Sequence, residues 1–196
     1  MTQEQAWELM RRAGALEKGH FLMKSGRHAD LFLQCAHLAE HADITGELCR
    51  ALAERCRDCG CDLVMAPALG GLIFGYEVSR ALGKRFIYCE RKEGVMTLRR
   101  GFRVGEGSRV LVVEDTVSTG GSVREVMEIV RAGGGSVVQV AALVDHIFLM
   151  AYDIHGPWDT YADFNAPLYT PSGQAPCARR ACPWTRPATA KRGPFH

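Results

Sequence analysis

The feature that most constrains this chain is one unbroken run, VLVVEDTVSTGGS, at residues 110–122. Four apolar residues open it and read as a buried strand with little exposed face. Two carboxylates follow, Glu114 and Asp115, and then a turn of small residues. Beyond the turn, Val123, Val126, Ile129 and Val130 recur at helical spacing. The run therefore encodes a strand, an acidic pair, a hydroxyl- and glycine-rich loop and a helix start, in that order.

Each part has its own chemistry. Gly120 and Gly121 let the backbone turn tightly and approach a ligand. The uncapped N–H groups and positive dipole end of the helix favour a phosphate. Ser118, Thr119 and Ser122 add short donors for phosphate oxygens. Two acids ahead of an anion site suit the hydroxyls of a sugar that carries the phosphate. The implied ligand has a phosphorylated end and a diol, as a ribose 5-phosphate has. No lysine follows the second glycine, so the run is not a GxxxxGK[ST] loop. The bland alternative is a strand–turn–helix whose loop is merely polar.

The rest of the chain alternates in the same way. Residues 2–12 read as a helix with Ala6, Leu9 and Met10 on one face. Alternation around Leu31 and Leu33 suggests a strand after a basic turn. Asp43 or Thr45 is placed to cap a helix running to about Arg57, with Ile44, Leu48, Leu52 and Cys56 four residues apart. Strands are expected at 62–66, 85–89, 109–114 and 136–144. A helix from the Gly70-Gly71 turn to Leu82 separates the first two. Residues 90–100 form a long polar connection, of the kind found in solvated hairpins or mobile loops. Strands alternating with helices predict an α/β fold, a parallel sheet covered on both faces. Ligands of such sheets sit beyond the strands' carboxyl ends, where the acidic pair and the glycine turn both fall.

These stretches, in this order, resemble the type I phosphoribosyltransferases, whose signature for 5-phosphoribosyl 1-diphosphate (PRPP) is similar to residues 110–122. FLMKSGRHADLFLQC at 21–35, APALGG at 66–71, ERKEGVMTLRRGF at 90–102 and AALVD at 141–145 narrow the resemblance to the orotate phosphoribosyltransferases. It covers about residues 1–145. It implies a Rossmann-like parallel-sheet core with a small N-terminal hood over the base. It also implies transfer of ribose 5-phosphate from PRPP to orotate, as in pyrimidine synthesis. Glu114 and Asp115 would hold the ribose hydroxyls, with Lys92 joining them as a catalytic group. Thr116, Val117, Ser118, Thr119, Gly120, Gly121 and Ser122 would bind the 5-phosphate. Lys24, Arg91 and Lys92 would face the diphosphate, with Mg²⁺ bound mainly through PRPP. Phe32, Ser118 and His146 fall at positions that meet orotate. A homodimer is implied too, because relatives share a flexible basic loop, here 90–100, with the neighbouring subunit.

The pattern breaks in places. The family expects an arginine after AALVD to pair with the orotate carboxylate; the chain has His146, shorter and mostly neutral at pH 7. A further loop lysine is replaced by Val95, and Gly70 stands where some relatives carry lysine. Residues 146–169, with MAYDIHGPWD and NAPLY, resemble a fragment of family 18 chitinases, without the DxxDxDxE motif those enzymes need. Residues 1–169 are thus expected to form one phosphoribosyltransferase-like domain, atypical from 146, with 170–196 an irregular basic tail. Two other readings stay open. One is a PRPP-binding regulator or inactive enzyme that has lost its base site; the other is a phosphoribosyltransferase for a different base.

Composition narrows the class further. Every acid lies at or before Asp163, while Arg179, Arg180, Arg186, Lys191 and Arg192 lie beyond it. Five charges without a predicted fold give no reason to expect nucleic acid. No apolar run approaches the roughly 18 residues of a membrane span, so neither membrane nor export is expected and a cytoplasmic protein is the default. Cys56, Cys59 and Cys61 crowd together without a histidine at finger spacing. No structural metal is therefore expected, and disulfides are not expected in that compartment.

Overall fold

The structure, a computed structural model, describes residues 1–22, 28–117, 120–145 and 148–149. Lys24, Ser118, Thr119 and His146 lie outside the described residues, as do the basic tail and nearly all of the chitinase-like stretch.

The chain divides into two units. Among the described residues the smaller comprises 18–22 and 28–32, most of a two-stranded sheet. That sheet pairs β1 (Leu16–Leu22) with β2 (His28–Leu33). Within it Phe32 packs on Phe21, ring centres 5.3 Å apart.

The larger unit comprises, among the described residues, 1–17, 33–117, 120–145 and 148–149. It opens with α1 (Gln3–Arg12), where Thr2 and Gln5 cap each other's backbone N–H groups. The short α2 (Cys35–Ala39) leads into α3 (Ala42–Cys56). Neither Asp43 nor Thr45 caps α3, as the sequence suggested. The helix starts sooner, after His41, because α2 ends just before it. Thr45 is then interior, and its hydroxyl donates to the Leu38 carbonyl at 2.6 Å.

The core strands are β3 (Leu63–Pro67), β4 (Arg85–Lys92), β6 (Arg109–Val117) and β7 (Ser136–Asp145), linked by α4 (Gly70–Leu82) and α5 (Gly121–Ala132). With β5 (Val95–Leu98) and β8 (Phe148–Leu149) they form a six-stranded sheet in the order β5-β4-β3-β6-β7-β8. The four inner strands are parallel and the two outer ones run antiparallel to their neighbours. Residues 110–113 are wholly buried, so alternate side chains must be covered from both sides. Val64, Leu111, Val113 and Leu143 join the core built with α1, α3 and α4. α5 packs against β6 and β7 through Val123, Val126, Met127 and Val130. Burying each such Val or Leu contributes roughly 1.5–3 kcal/mol. The α/β parallel sheet expected from the sequence is the observed one.

The polar connection at 90–100, for which hairpin and mobile loop both stood open, is a hairpin. β4 runs on to Lys92, and Arg91 and Lys92 pair with Met96 and Val95 of β5. Glu93 and Gly94 both take positive φ, +53° and +84°, the turn that matches the twist of hairpin strands. Glu90 then accepts hydrogen bonds from Arg99 and Arg100, each at 3.2 Å, and holds the returning chain to β4. Among the described residues, no helix is long and apolar enough to cross a membrane.

Candidate active site

The site is built at the carboxyl edge of β6, between β3 and β7. The strand continues past the acidic pair, with Glu114 opposite Ala142 and Val117 opposite Asp145. Glu114 and Asp115 are therefore strand residues, held by the sheet ladder on both sides of the pair. Their alternation separates them: Glu114 is buried, 6% exposed, and Asp115 is half-buried.

The carboxyls are fastened by backbone donors. Asp115 N–H donates to Glu114 Oε1 at 3.2 Å, and Thr116 N–H to Asp115 Oδ1 at 2.7 Å. Burial, and then the hydrogen bond and charge of Asp115, push the Glu114 carboxyl up to about 9. Glu114 thus keeps its proton at neutral pH and serves its neighbour as a donor. The ED dipeptide carries less than two charges in the ligand-free protein.

The second glycine turn closes on this pair. The end of β3 is tied to β4 by Ala68 N–H donating to the Cys89 carbonyl at 2.7 Å. A Cβ on Gly70 would stand 2.9 Å from both Asp115 carboxylate oxygens. One on Gly71 would stand 2.9 Å from the Val113 carbonyl and 3.0 Å from Glu114 Oε1. Only glycine lets the start of α4 reach the acids. Leu69, just ahead, is 87% exposed at the same edge.

Beyond the strand, Gly120 takes φ +71° and opens α5 without a side-chain cap. Its N-cap residue makes no side-chain hydrogen bond to the first N–H groups, the groups an anion can take up. Gly121 is exposed and Ser122 half-buried. Arg91 and Lys92 sit at the end of β4 in the docked hairpin, and Val95 stands exposed opposite Lys92. Phe32 belongs to the smaller unit.

One neighbour had no sequence signal. Cys35, at the start of α2, lies 3.2 Å from the Thr116 hydroxyl. Burial, with the Asp115 and Glu114 charges added, pushes its thiol up to about 12. It is a packed hydrogen-bonding partner of Thr116 and no nucleophile at neutral pH.

A carboxyl pair, a glycine turn closed against it and a helix opened by a left-handed glycine thus meet at one edge of a parallel sheet, the fold of the phosphoribosyltransferases. The phosphoribosyl transferase domain family matches residues 38–149, and the chain belongs to that family, within it to the orotate phosphoribosyltransferases. An orotate phosphoribosyltransferase of Pelotomaculum thermopropionicum is 51% identical over 145 residues, 74% of this chain and 76% of that protein. Another, of Caldanaerobacter subterraneus, is 39% identical over 191 residues, 97% of this chain and 100% of its own. The crystal structure of orotate phosphoribosyltransferase from Aeropyrum pernix superposes with a TM-score of 0.62 at 24% identity, covering 70% of this chain and 80% of that one. The match over 97% of the chain necessarily takes in most of the residues beyond 145. The likeness of 146–169 to a chitinase fragment gains no support, since that stretch lies within the length of the orotate family.

Proposed function

We propose that the chain transfers ribose 5-phosphate from PRPP to N1 of orotate, giving orotidine 5′-monophosphate and diphosphate. The observation that carries this is the junction at the β6 edge, where Asp115 meets Gly70 while the uncapped α5 opens five residues on. A ligand with a diol and two phosphate-bearing ends fits donors and acceptors so arranged.

In this reading N1 attacks the anomeric carbon, the carbon–oxygen bond to diphosphate breaks, and the N1 proton is lost. The transition state is positive at the ribose ring and increasingly negative at the departing diphosphate. Asp115 and Glu114 hold the ribose hydroxyls, and Asp115 places negative charge beside the ring. Residues 116–122 fix the 5-phosphate, so the anomeric carbon is held at a set distance from the base. Lys24, Arg91 and Lys92 face the diphosphate. Phe32, Ser118 and His146 are assigned to orotate.

Mg²⁺ fits as an ion brought by the substrate. The Glu114 and Asp115 carboxyls each accept a backbone N–H, and Mg²⁺ is commonly held through substrate phosphates with several waters retained. Bound there, it would supply positive charge to the leaving diphosphate. We further assign the enzyme a homodimeric state, a cytoplasmic location and a single catalytic domain over residues 1–169.

Calorimetric titration of PRPP, followed by orotate and a diphosphate-release assay, tests the reading. It expects PRPP binding and stoichiometric release of diphosphate with orotate. PRPP binding without release would make the chain a PRPP-binding regulator. Release with another base alone would reassign the substrate.

A further inference from the structure

The basic hairpin treats its two cations differently. Arg91 Nη1 donates to the Gly94 carbonyl across the turn at 2.7 Å, and Nη2 donates to Glu125 Oε1 of α5 at 2.9 Å. Lys92 is exposed and makes no ion pair among the described residues. The hairpin rests on α5 by a second contact as well: β5 packs on that helix, and its Met96 is buried, 8% exposed. Glu125 lies one helical turn beyond Gly121, on the helix assigned to the 5-phosphate. One carboxylate therefore ties the hairpin assigned to the diphosphate to the helix assigned to the 5-phosphate.

We propose that Glu125 is a positioning residue for the transfer reaction, acting through Arg91. The inference rests on the reading of Arg91 as a diphosphate ligand. A guanidinium has five N–H donors, and the Gly94 and Glu125 contacts leave others for the ligand. An arginine already held at the turn loses less rotamer freedom on binding than a free one. The carboxylate also subtracts charge from the site, an effect that works the other way. Both partners are partly exposed, 44% and 37%, so water and salt weaken that subtraction while the geometric restraint persists. Lys92, without an ion pair among the described residues, supplies further positive charge.

PRPP titrations of Glu125→Ala, Glu125→Gln, Arg91→Met and the Arg91→Met/Glu125→Ala double variant decide the matter. Glu125→Ala should weaken PRPP binding about threefold to fivefold, the scale of a part-exposed ion pair. The melting temperature should fall by no more than a few degrees, the scale of one part-exposed ion pair. Glu125→Gln, which keeps an acceptor, should recover part of the loss. In the Arg91→Met background, removing Glu125 should cost nothing more. An equal loss in that background would make Glu125 a structural residue of α5 and overturn the proposal, as would tighter PRPP binding by Glu125→Ala. If Arg91→Met binds PRPP as the unaltered chain does, the diphosphate role of Arg91 falls and that of Glu125 with it. If the unaltered chain binds no PRPP, the reading of the whole site fails first.

Discussion

The run from β6 into α5 and the β4–β5 hairpin are both assigned to the same phosphorylated ligand, yet they are held in opposite ways. The first lies mid-sheet, between two parallel neighbours, and its acidic pair is fixed by the next backbone N–H along the chain. The second forms the sheet's edge, and its arginine depends on a partner 34 residues away. A group clamped by its own neighbours has one geometry. A group held by a part-exposed ion pair has several, separated by about 1 kcal/mol or less. Substitutions in the first region should therefore be costly and specific, and those in the second graded and salt-sensitive.

The largest effect is expected at Gly120. Its φ of +71° opens α5, and valine there would strain the turn and place a branched side chain at the phosphate loop. Gly120→Val should abolish measurable PRPP binding while the circular dichroism of the fold remains. Undiminished PRPP affinity would remove the phosphate assignment of this region.

Asp115→Asn comes next. It keeps shape and hydrogen bonding but removes the charge proposed to face the ribose ring. The expected loss is in kcat, on the order of 2–4 kcal/mol for a preorganised electrostatic group. A rise in KM alone would mean that Asp115 only grips the sugar.

These two positions were legible in the sequence because the residues that mark them are adjacent in the chain. The apolar run at 110–113, the acids and the glycines need no distant partner to be read as strand, carboxyl pair and turn. The same holds for α1 and for the parallel strands. What escaped depends on remote contacts. β1, LEKGHFL, carries no apolar alternation and forms only by pairing with β2. The Cys35–Thr116 contact spans 81 residues. β6 reaches Val117, beyond the expected end at Glu114, because β7 continues to offer partners. The hairpin read as an undecided polar stretch, since its order comes from Met96 burial, the Glu90 fork and Glu125. The proton on Glu114 was hidden as well, since an ED dipeptide looks like two charges until burial is known.

That proton sets a stability test inside the clamped region. The folded carboxyl titrates at about 9, against an ordinary value of 4.5. Between those values the unfolded chain has released the proton that the folded protein keeps. Stability therefore falls as pH rises from about 4.5 to 9, and this contribution is flat below that window. Glu114→Gln retains a donor toward Asp115 and has no proton to lose. Its melting temperature should exceed that of the unaltered chain at pH 8 and match it near pH 4. The same difference at both pH values would mean that Glu114 is not held neutral by the fold.

The smallest effect belongs to the hairpin tip. Val95 is 65% exposed and pairs with Lys92 across the β4–β5 ladder, so lysine at 95 meets no steric barrier. It would put like charges directly opposite, a destabilisation of roughly 0.2–1 kcal/mol that appears as a small fall in melting temperature. It would also give the tip a second exposed cation beside Lys92. PRPP binding by Val95→Lys should tighten about twofold to fivefold at low ionic strength. The gain should vanish in 1 M salt, where the Debye length is about 3 Å. Vanishing with salt is the mark of a solvated charge acting across a gap. A gain that survives salt would mean that the new side chain makes a desolvated contact, and the edge is then as firmly built as the centre. No gain at low salt would mean that the tip does not face the diphosphate, leaving the hairpin a brace for α5.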